Sequence, residues 1–291
     1  MVKKRFGKGL ISPAILLLSL CCYVSVKVPP QIFWPAAILG YAIPLAVLVN
    51  LFLFLLFLTF KNKRYWLHLI GVLSAAPFIW ISFNLGGNPG NTAEKQFTLM
   101  SFNAKLFRKF ETYGKFSRET IDWVTQDSSD IKCIQEFSYN AHYPKLDVLQ
   151  QLKDRGYYHY NFQINQIHNP GLAIFSKYPI VSRGMVNPEN TTVNNIIYAD
   201  VTIGKDTVRI YNVHLKSMRL ELQRYRDRDT DKLPGTMKII INKLRYGAIV
   251  RAGEIEKLLA HVRECPYPVI VCGDFNETPY SYNYFTMKSM F

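Results

Sequence analysis

Three long runs of this sequence, Leu10–Val26, Pro35–Phe60 and Trp66–Phe83, contain no Asp, Glu, Lys or Arg. Each approaches or exceeds the roughly 17–25 residues that a helix needs to cross the hydrocarbon core of a bilayer. The hydrophobic content of the whole chain, 49%, is ordinary, so its apolar residues are concentrated in the first third. Pro13, Pro35, Pro44 and Pro77 lie inside or at the edges of these runs, where membrane helices tolerate proline better than soluble ones do. Asn50 and His68 are lone polar residues in the spans, and the expectation for both is an inter-helix or interfacial hydrogen bond rather than an ion pathway.

Basic residues orient the spans. Lys3, Lys4, Arg5 and Lys8 precede the first run and Lys61, Lys63 and Arg64 fill the second loop, whereas the first loop has only Lys27. Positive residues stay in the cytoplasm, so everything after the third span is expected on the non-cytoplasmic side, periplasmic or extracellular. A cleaved signal peptide at Leu10–Val26 is the rival reading, and it leaves the rest of the chain on the same side. The expected organisation is a membrane region over 1–84 with about three helices, a linker over 85–94 rich in glycine and asparagine, and a single domain over 95–291.

In that domain, the stretch Pro268–Pro279, PVIVCGDFNETP, carries the strongest chemical signal. Val269–Val271 is a β-branched run suited to a buried strand, and it ends in Asp274 and Asn276. Two residues apart at a strand exit, a carboxylate and a carboxamide can face the same way. One handles a proton or a bound water while the other donates to an anionic oxygen. Alone, this pattern is also a tight turn with local side-chain hydrogen bonds. Three other strand-like runs end in similar residues: Phe97–Asn103 delivers Asn103, Ile131–Glu136 delivers Glu136, and Val208–Leu215 delivers Asn212 and His214. Leu146–Arg155 and Arg251–Arg263 read as helices, the second with Ile255, Leu258, Leu259 and Val262 on one stripe. Cys133 and Cys272 read as small core hydrophobes rather than as a disulfide.

With these segments in order, and with GLAIFSKYPI at Gly171–Ile180 between them, the region from about Lys95 onward resembles the endonuclease/exonuclease/phosphatase superfamily, particularly its membrane-attached bacterial members. The resemblance implies an α/β fold, a four-layered α/β sandwich of the DNase I-like kind. It implies a divalent-metal-dependent phosphoesterase using Mg2+ or Mn2+. Glu136 would bind the metal with Asn103 in support, Asp274 would orient or deprotonate the attacking water, Asn276 would hydrogen-bond the phosphate, and His214 would contact it. The implied partners are a phosphate-ester substrate, whether nucleic acid, phospholipid or inositol phosphate, and the lipid bilayer, with no protein partner.

Two features complicate this expectation. The family ends in further strands and a terminal Ser-Asp-His motif, and this sequence has no Asp-His dipeptide. The reading is therefore of a domain missing its last strands, with the helix at Ser281–Phe291 cut in its course and with little or no activity. The alternative to an enzyme is an inactive member that acts as a binding module or has no function. The formal charge of +14 belongs partly to the residues that orient the spans and partly to Arg219–Arg251. This basic, poorly patterned insertion suits a polyanion, anionic headgroups or a solvated loop. No interleaving of aromatic and basic residues there points to base recognition.

Overall fold

The computed structural model describes residues 10–83, 97–109, 115–139, 143–162, 170–189, 192–218 and 233–291. The expected linker over 85–94 lies outside the described residues, as does 219–232 of the basic insertion. The chain divides into two compact units, Thr92–Ser217 with Glu256–Asn276, and Met1–Asn91 with Met218–Ile255 and Glu277–Phe291.

The second of these units contains the apolar helices. Helix α1 is Ile11–Ser25, α2 is Pro35–Tyr41, α3 is Ile43–Thr59, α4 is Tyr65–Ser74 and α5 is Ala76–Ser82. Among the described residues no single helix is long and apolar enough to cross a membrane, but two bent pairs pass that test together, α2 with α3 (50°) and α4 with α5 (55°). Both bends fall just before a proline in the first turn of the following helix, Pro44 and Pro77. A proline lacks the amide proton and crowds the carbonyl four residues earlier, which breaks the helix at that point. The two lone polar residues meet in the interior. Asn50 donates to Ser19 Oγ (2.7 Å) and Ala46 O (2.8 Å), and its Oδ1 pairs with His68 Nδ1 at 3.0 Å. That is the inter-helix hydrogen bond expected from the sequence.

The other unit is built on two four-stranded sheets. Strands β1 (Leu99–Asn103), β2 (Ile131–Phe137), β3 (Tyr158–Phe162) and β4 (Gly171–Ser176) form one sheet in the order β1-β2-β4-β3. Strands β5 (Ile180–Met185), β6 (Asn195–Ile203), β7 (Asp206–His214) and β8 (Val269–Asp274) form the other, in sequence order. The pairs β1/β2 and β7/β8 are parallel and the rest antiparallel. Ile131, Cys133, Leu172 and Ile174 from the first sheet and Ile197, Ala199, Val201 and Ile210 from the second interlock in one apolar core. Helices α6 (Arg118–Gln126) and α7 (Val148–Asp154) cover the outer face of the first sheet through Ile121, Val124, Val148 and Leu152. Ser117 and Asp147 cap them, their side chains accepting from the amides of Thr120 and Gln150, which satisfies donors that a helix start leaves free.

Helix α8, Leu233–Arg263, begins 18 residues before the helix read from the sequence, so half of the basic insertion is helical. Its residues Ile241, Leu244, Ala248 and Ala252 continue back along the helix the apolar face of Ile255, Leu258, Leu259 and Val262, while Ile239 is exposed. In its last turns Leu258, Leu259 and Val262 are buried, and His261 packs on Tyr198 and bonds the Tyr211 hydroxyl at 2.8 Å. The result is four layers: helices, sheet, sheet, helix. All five cysteines are free thiols. Cys133 and Cys272 share the core between the sheets, where a hydrogen bond between them and burial push the Cys133 thiol well up. Helix α9, Tyr282–Lys288, follows β8 and is capped by Ser281.

Candidate active site

Four strands, two from each sheet, deliver their C-terminal residues to one place. Asn103 ends β1. Its amide nitrogen donates to Asp274 Oδ2 at 2.8 Å and lies 3.3 Å from Glu136 Oε1, while its Oδ1 accepts the Lys105 amide at 3.0 Å. Glu136 sits in a bulge where the pairing of β2 with β4 skips from Gln135 to Phe137. It has a left-handed backbone (φ 47°). A bulge re-aims one side chain out of the alternation of the strand, and here it leaves the carboxylate half-buried between fully buried neighbours. His214 is the last residue of β7 and the register partner of Asp274 at the end of β8. His214 Nε2 stands 3.8 Å from Glu136 Oε1.

The approach of β8 to β7 is close. Gly273, opposite Val213, adopts φ 138°, and a Cβ there would run into the Val213 backbone. Only glycine suits such a conformation, so Gly273 of the Gly-Asp-Phe-Asn run lets Asp274 lie beside His214. Asn276 follows in the left-handed region (φ 49°), which asparagine tolerates. Its amide proton goes to Asp274 Oδ1 (2.9 Å) and its side-chain nitrogen to Leu215 O (3.0 Å). The local turn and the functional arrangement are therefore the same structure. The Asx hydrogen bond fixes one oxygen of Asp274 and leaves the other facing Asn103.

The charge balance of this place is unusual. Among the described residues no lysine or arginine pairs with Glu136 or Asp274; a neutral amide bridges them. His214 is 3% exposed, and neither of its ring nitrogens has a hydrogen-bond partner. Buried polar atoms are normally satisfied, so an unpartnered imidazole beside two carboxylates marks a place shaped for something else. A hard divalent cation favours a few carboxylate and carbonyl oxygens supplemented by water. Glu136 could supply a carboxylate of that kind, while the Asn103 amide faces Glu136 and Asp274 and its carbonyl is taken by the Lys105 amide. No group of three or more His, Cys, Asp or Glu side chains forms a metal cage among the described residues.

All five residues singled out from the sequence thus lie in this one region. Asn212, read with His214 at the same strand exit, lies elsewhere. It is fully buried and donates to Ile134 O (3.0 Å) and Ala173 O (2.9 Å), while Gln135 donates to its Oδ1 at 2.7 Å. Asn212 and Gln135 brace the two sheets directly beneath the site. The signal for Gln135 was present in the sequence: a lone amide in the alternating row Ile131, Cys133, Gln135 and Phe137, otherwise apolar.

The profile of the endonuclease/exonuclease/phosphatase family matches residues 81–290. The chain belongs to this family. A domain of unknown function matches residues 9–81. No curated protein matches. Among solved structures, a truncated TDP2 from Caenorhabditis elegans is 18% identical with a TM-score of 0.42, over 62% of this chain and 63% of that one. A beta toxin variant from Staphylococcus aureus with bound magnesium ions is 17% identical, TM-score 0.45, over 67% and 70%. A sphingomyelinase C from Streptomyces griseocarneus is 15% identical, TM-score 0.44, over 67% and 70%. The chain spans just under two thirds of the length of the nematode protein.

Proposed function

We propose that this protein is a membrane-anchored, divalent-metal-dependent phosphoesterase whose site is formed by Asn103, Glu136, His214, Asp274 and Asn276. The observation that carries the proposal is the convergence of two carboxylates, a bridging amide and an unpartnered buried imidazole at the ends of four strands. Family membership supports the same chemistry. Glu136 and Asn103 would hold Mg2+ or Mn2+, which when bound neutralises charge developing on the phosphoryl oxygens. Asp274 accepts a proton from the attacking water at its Oδ2, the oxygen not tied to the Asn276 amide. His214 and Asn276 donate to non-bridging phosphate oxygens, and the fixed position of these donors supplies most of the rate effect. Nothing in this arrangement selects a leaving group, so nucleic acid, phospholipid and inositol phosphate esters share the mechanism.

The test is Mg2+-dependent hydrolysis of bis(p-nitrophenyl) phosphate by the full chain, with Glu136→Gln and Asp274→Asn alongside. Loss of a general base costs ~10²–10⁴-fold. Hydrolysis unchanged in both variants would contradict the proposal, and hydrolysis absent from the unaltered chain would favour the inactive member instead.

We place the site on the non-cytoplasmic side of a membrane. Large side chains such as Leu45, Leu48, Phe52 and Leu55 are exposed along α3, a surface suited to lipid. Of the basic residues that flank the spans, Lys3, Lys4, Arg5, Lys8, Lys61, Lys63 and Arg64 fall on one side, and Lys27 is the one in the first loop, the bias that keeps the first set in the cytoplasm. Alkaline phosphatase fused after Asn91 should be active and a cytoplasmic reporter at the same point inactive; the reverse pattern overturns the placement.

A further inference from the structure

Leu215, the residue after β7, ties together the two strand exits that carry His214 and Asp274. Its amide donates to Asp274 O at 2.9 Å, one step beyond the register pair His214 and Asp274. Its carbonyl oxygen accepts two side-chain amides, Asn276 Nδ2 at 3.0 Å and Asn194 Nδ2 at 2.8 Å. Asn194 is 3% exposed and directly precedes β6, whose first residue, Asn195, is the register partner of His214. One buried residue therefore gathers the start of β6 and the exits of β7 and β8. All of these groups lie in the compact unit that holds the site.

Counting donors and acceptors gives this contact a role. A carbonyl oxygen has two lone pairs, and the two asparagines fill both. The oxygen can only accept, so each asparagine must present its nitrogen; a flipped amide would set two oxygens against each other. The Asn276 nitrogen carries two protons. One is held by Leu215 O, and in the proposed reaction the other is the one that meets a phosphate oxygen. With Asn194 on one lone pair, Asn276 is confined to the second, and the direction of its remaining proton is fixed. Without Asn194 either lone pair is open to it.

We propose that Asn194 is a positioning residue: it occupies one side of the Leu215 carbonyl and so aims the Asn276 amide at the phosphate. The kinetic consequence rests on the phosphoesterase reading, and the structural one does not. Asn194 acts through Leu215 and Asn276 rather than on the substrate.

The experiment uses the full chain in lipid nanodiscs and a cycle of Asn194→Asp, Asn276→Gly and the double variant, with Asn194→Leu alongside. Asn194→Asp keeps the shape of the side chain and replaces the donor alone. Glycine at 276 removes the amide and tolerates the left-handed backbone. Three quantities are read: kcat and KM for bis(p-nitrophenyl) phosphate, the melting temperature, and amide exchange over residues 212–217 and 270–277. Asn276→Gly, which loses a donor to the developing charge, should lower kcat ~10²–10³-fold. Asn194→Asp should lower kcat about 10²-fold with KM unchanged, the effect of a misplacement of about 1 Å, and Asn194→Leu should fall between it and the unaltered chain. In the Asn276→Gly background, Asn194→Asp should change kcat by less than about twofold, because the group it aims is gone. Amides at 214–217 and 274–277 should exchange about tenfold faster or more in Asn194→Asp, the mark of local opening. The full loss of kcat repeated in the Asn276→Gly background, a kcat that merely follows melting temperature, or exchange equal to that of the unaltered chain overturns the proposal. Absence of hydrolysis from the unaltered chain counts against the phosphoesterase reading alone, and the exchange comparison still decides whether Asn194 holds the two exits.

Discussion

The two ends of the sheet sandwich handle charge in opposite ways. Near the starts of β2 and β7, each buried charge has a partner. Lys132, fully buried in β2, bonds Asp127 through both its carboxylate (2.6 Å) and its carbonyl (2.8 Å) and lies over the Tyr157 ring. Arg209 forms a two-bonded pair with Asp200 at 2.6 and 2.8 Å, stacked on Tyr198. At the other ends of β2 and β7 and at the end of β8, Glu136 and Asp274 share a neutral amide and His214 makes no hydrogen bond. A fold able to satisfy its charges at one end leaves them unsatisfied at the other. At the saturated end, removing one partner strands a buried charge, whereas the proposed site lies at the unsaturated end, where unpaired polar groups already cost stability.

Substitutions at the two ends should therefore have opposite signatures. His214→Leu removes two unsatisfied buried nitrogens, so the melting temperature should hold or rise while turnover falls ~10²–10⁴-fold. A variant that unfolds would show the imidazole to be structural. Arg209→Met leaves the Asp200 carboxylate buried and unpaired, a loss of about 3–5 kcal/mol by denaturant unfolding, with turnover per folded molecule unchanged. A loss well under that range, or a fall in turnover of the folded fraction, would erase the contrast.

The smallest effect belongs to Lys132 and Asp127. Burial pushes the Asp127 carboxyl up, but hydrogen bonds from Lys132 and Ser129 outweigh it and hold the group at about 2. A carboxyl lowered by folding stabilises the folded state above its ordinary value near 4 and loses that contribution as pH falls towards 2. Stability should decline over that window, and the decline should flatten in Lys132→Met, in which the main donor is gone. Because the Asp127 side chain is 28% exposed, solvent screening holds the difference to about 1 kcal/mol. An unchanged acid profile in the variant would assign the shift to Ser129.

The sequence announced some of this better than the rest. Asp274, Glu136, Asn103 and His214 stood out at or near the exits of apolar strands, with Asn276 just beyond one, and the family resemblance gave all five their roles. The four layers followed from alternating strands and helices within one domain. Asn212 misled, because a polar residue two positions from a strand end faces the neighbouring sheet as readily as a site; only the carbonyls of Ile134 and Ala173 reveal its partners. Glu136 owes its aim to a bulge, a backbone feature with no side-chain signature in Ile131–Phe137. The Asn194–Leu215 hydrogen bond spans 21 residues and joins the segment before β6 to the residue after β7, so no local pattern contains it. Pro44 and Pro77 were read as tolerated within single spans, whereas the structure breaks the helices just before each of them, by 50° and 55°.

The central claim is that the unsatisfied carboxylate end takes up a divalent cation. Titration of the purified full chain with Mn2+, followed by the paramagnetic resonance of the free ion, tests this without requiring turnover. The account predicts one saturable Mn2+ per chain, displaced by excess Mg2+ and abolished by Glu136→Gln with the melting temperature preserved. Equal Mn2+ uptake by the unaltered chain and Glu136→Gln would contradict it.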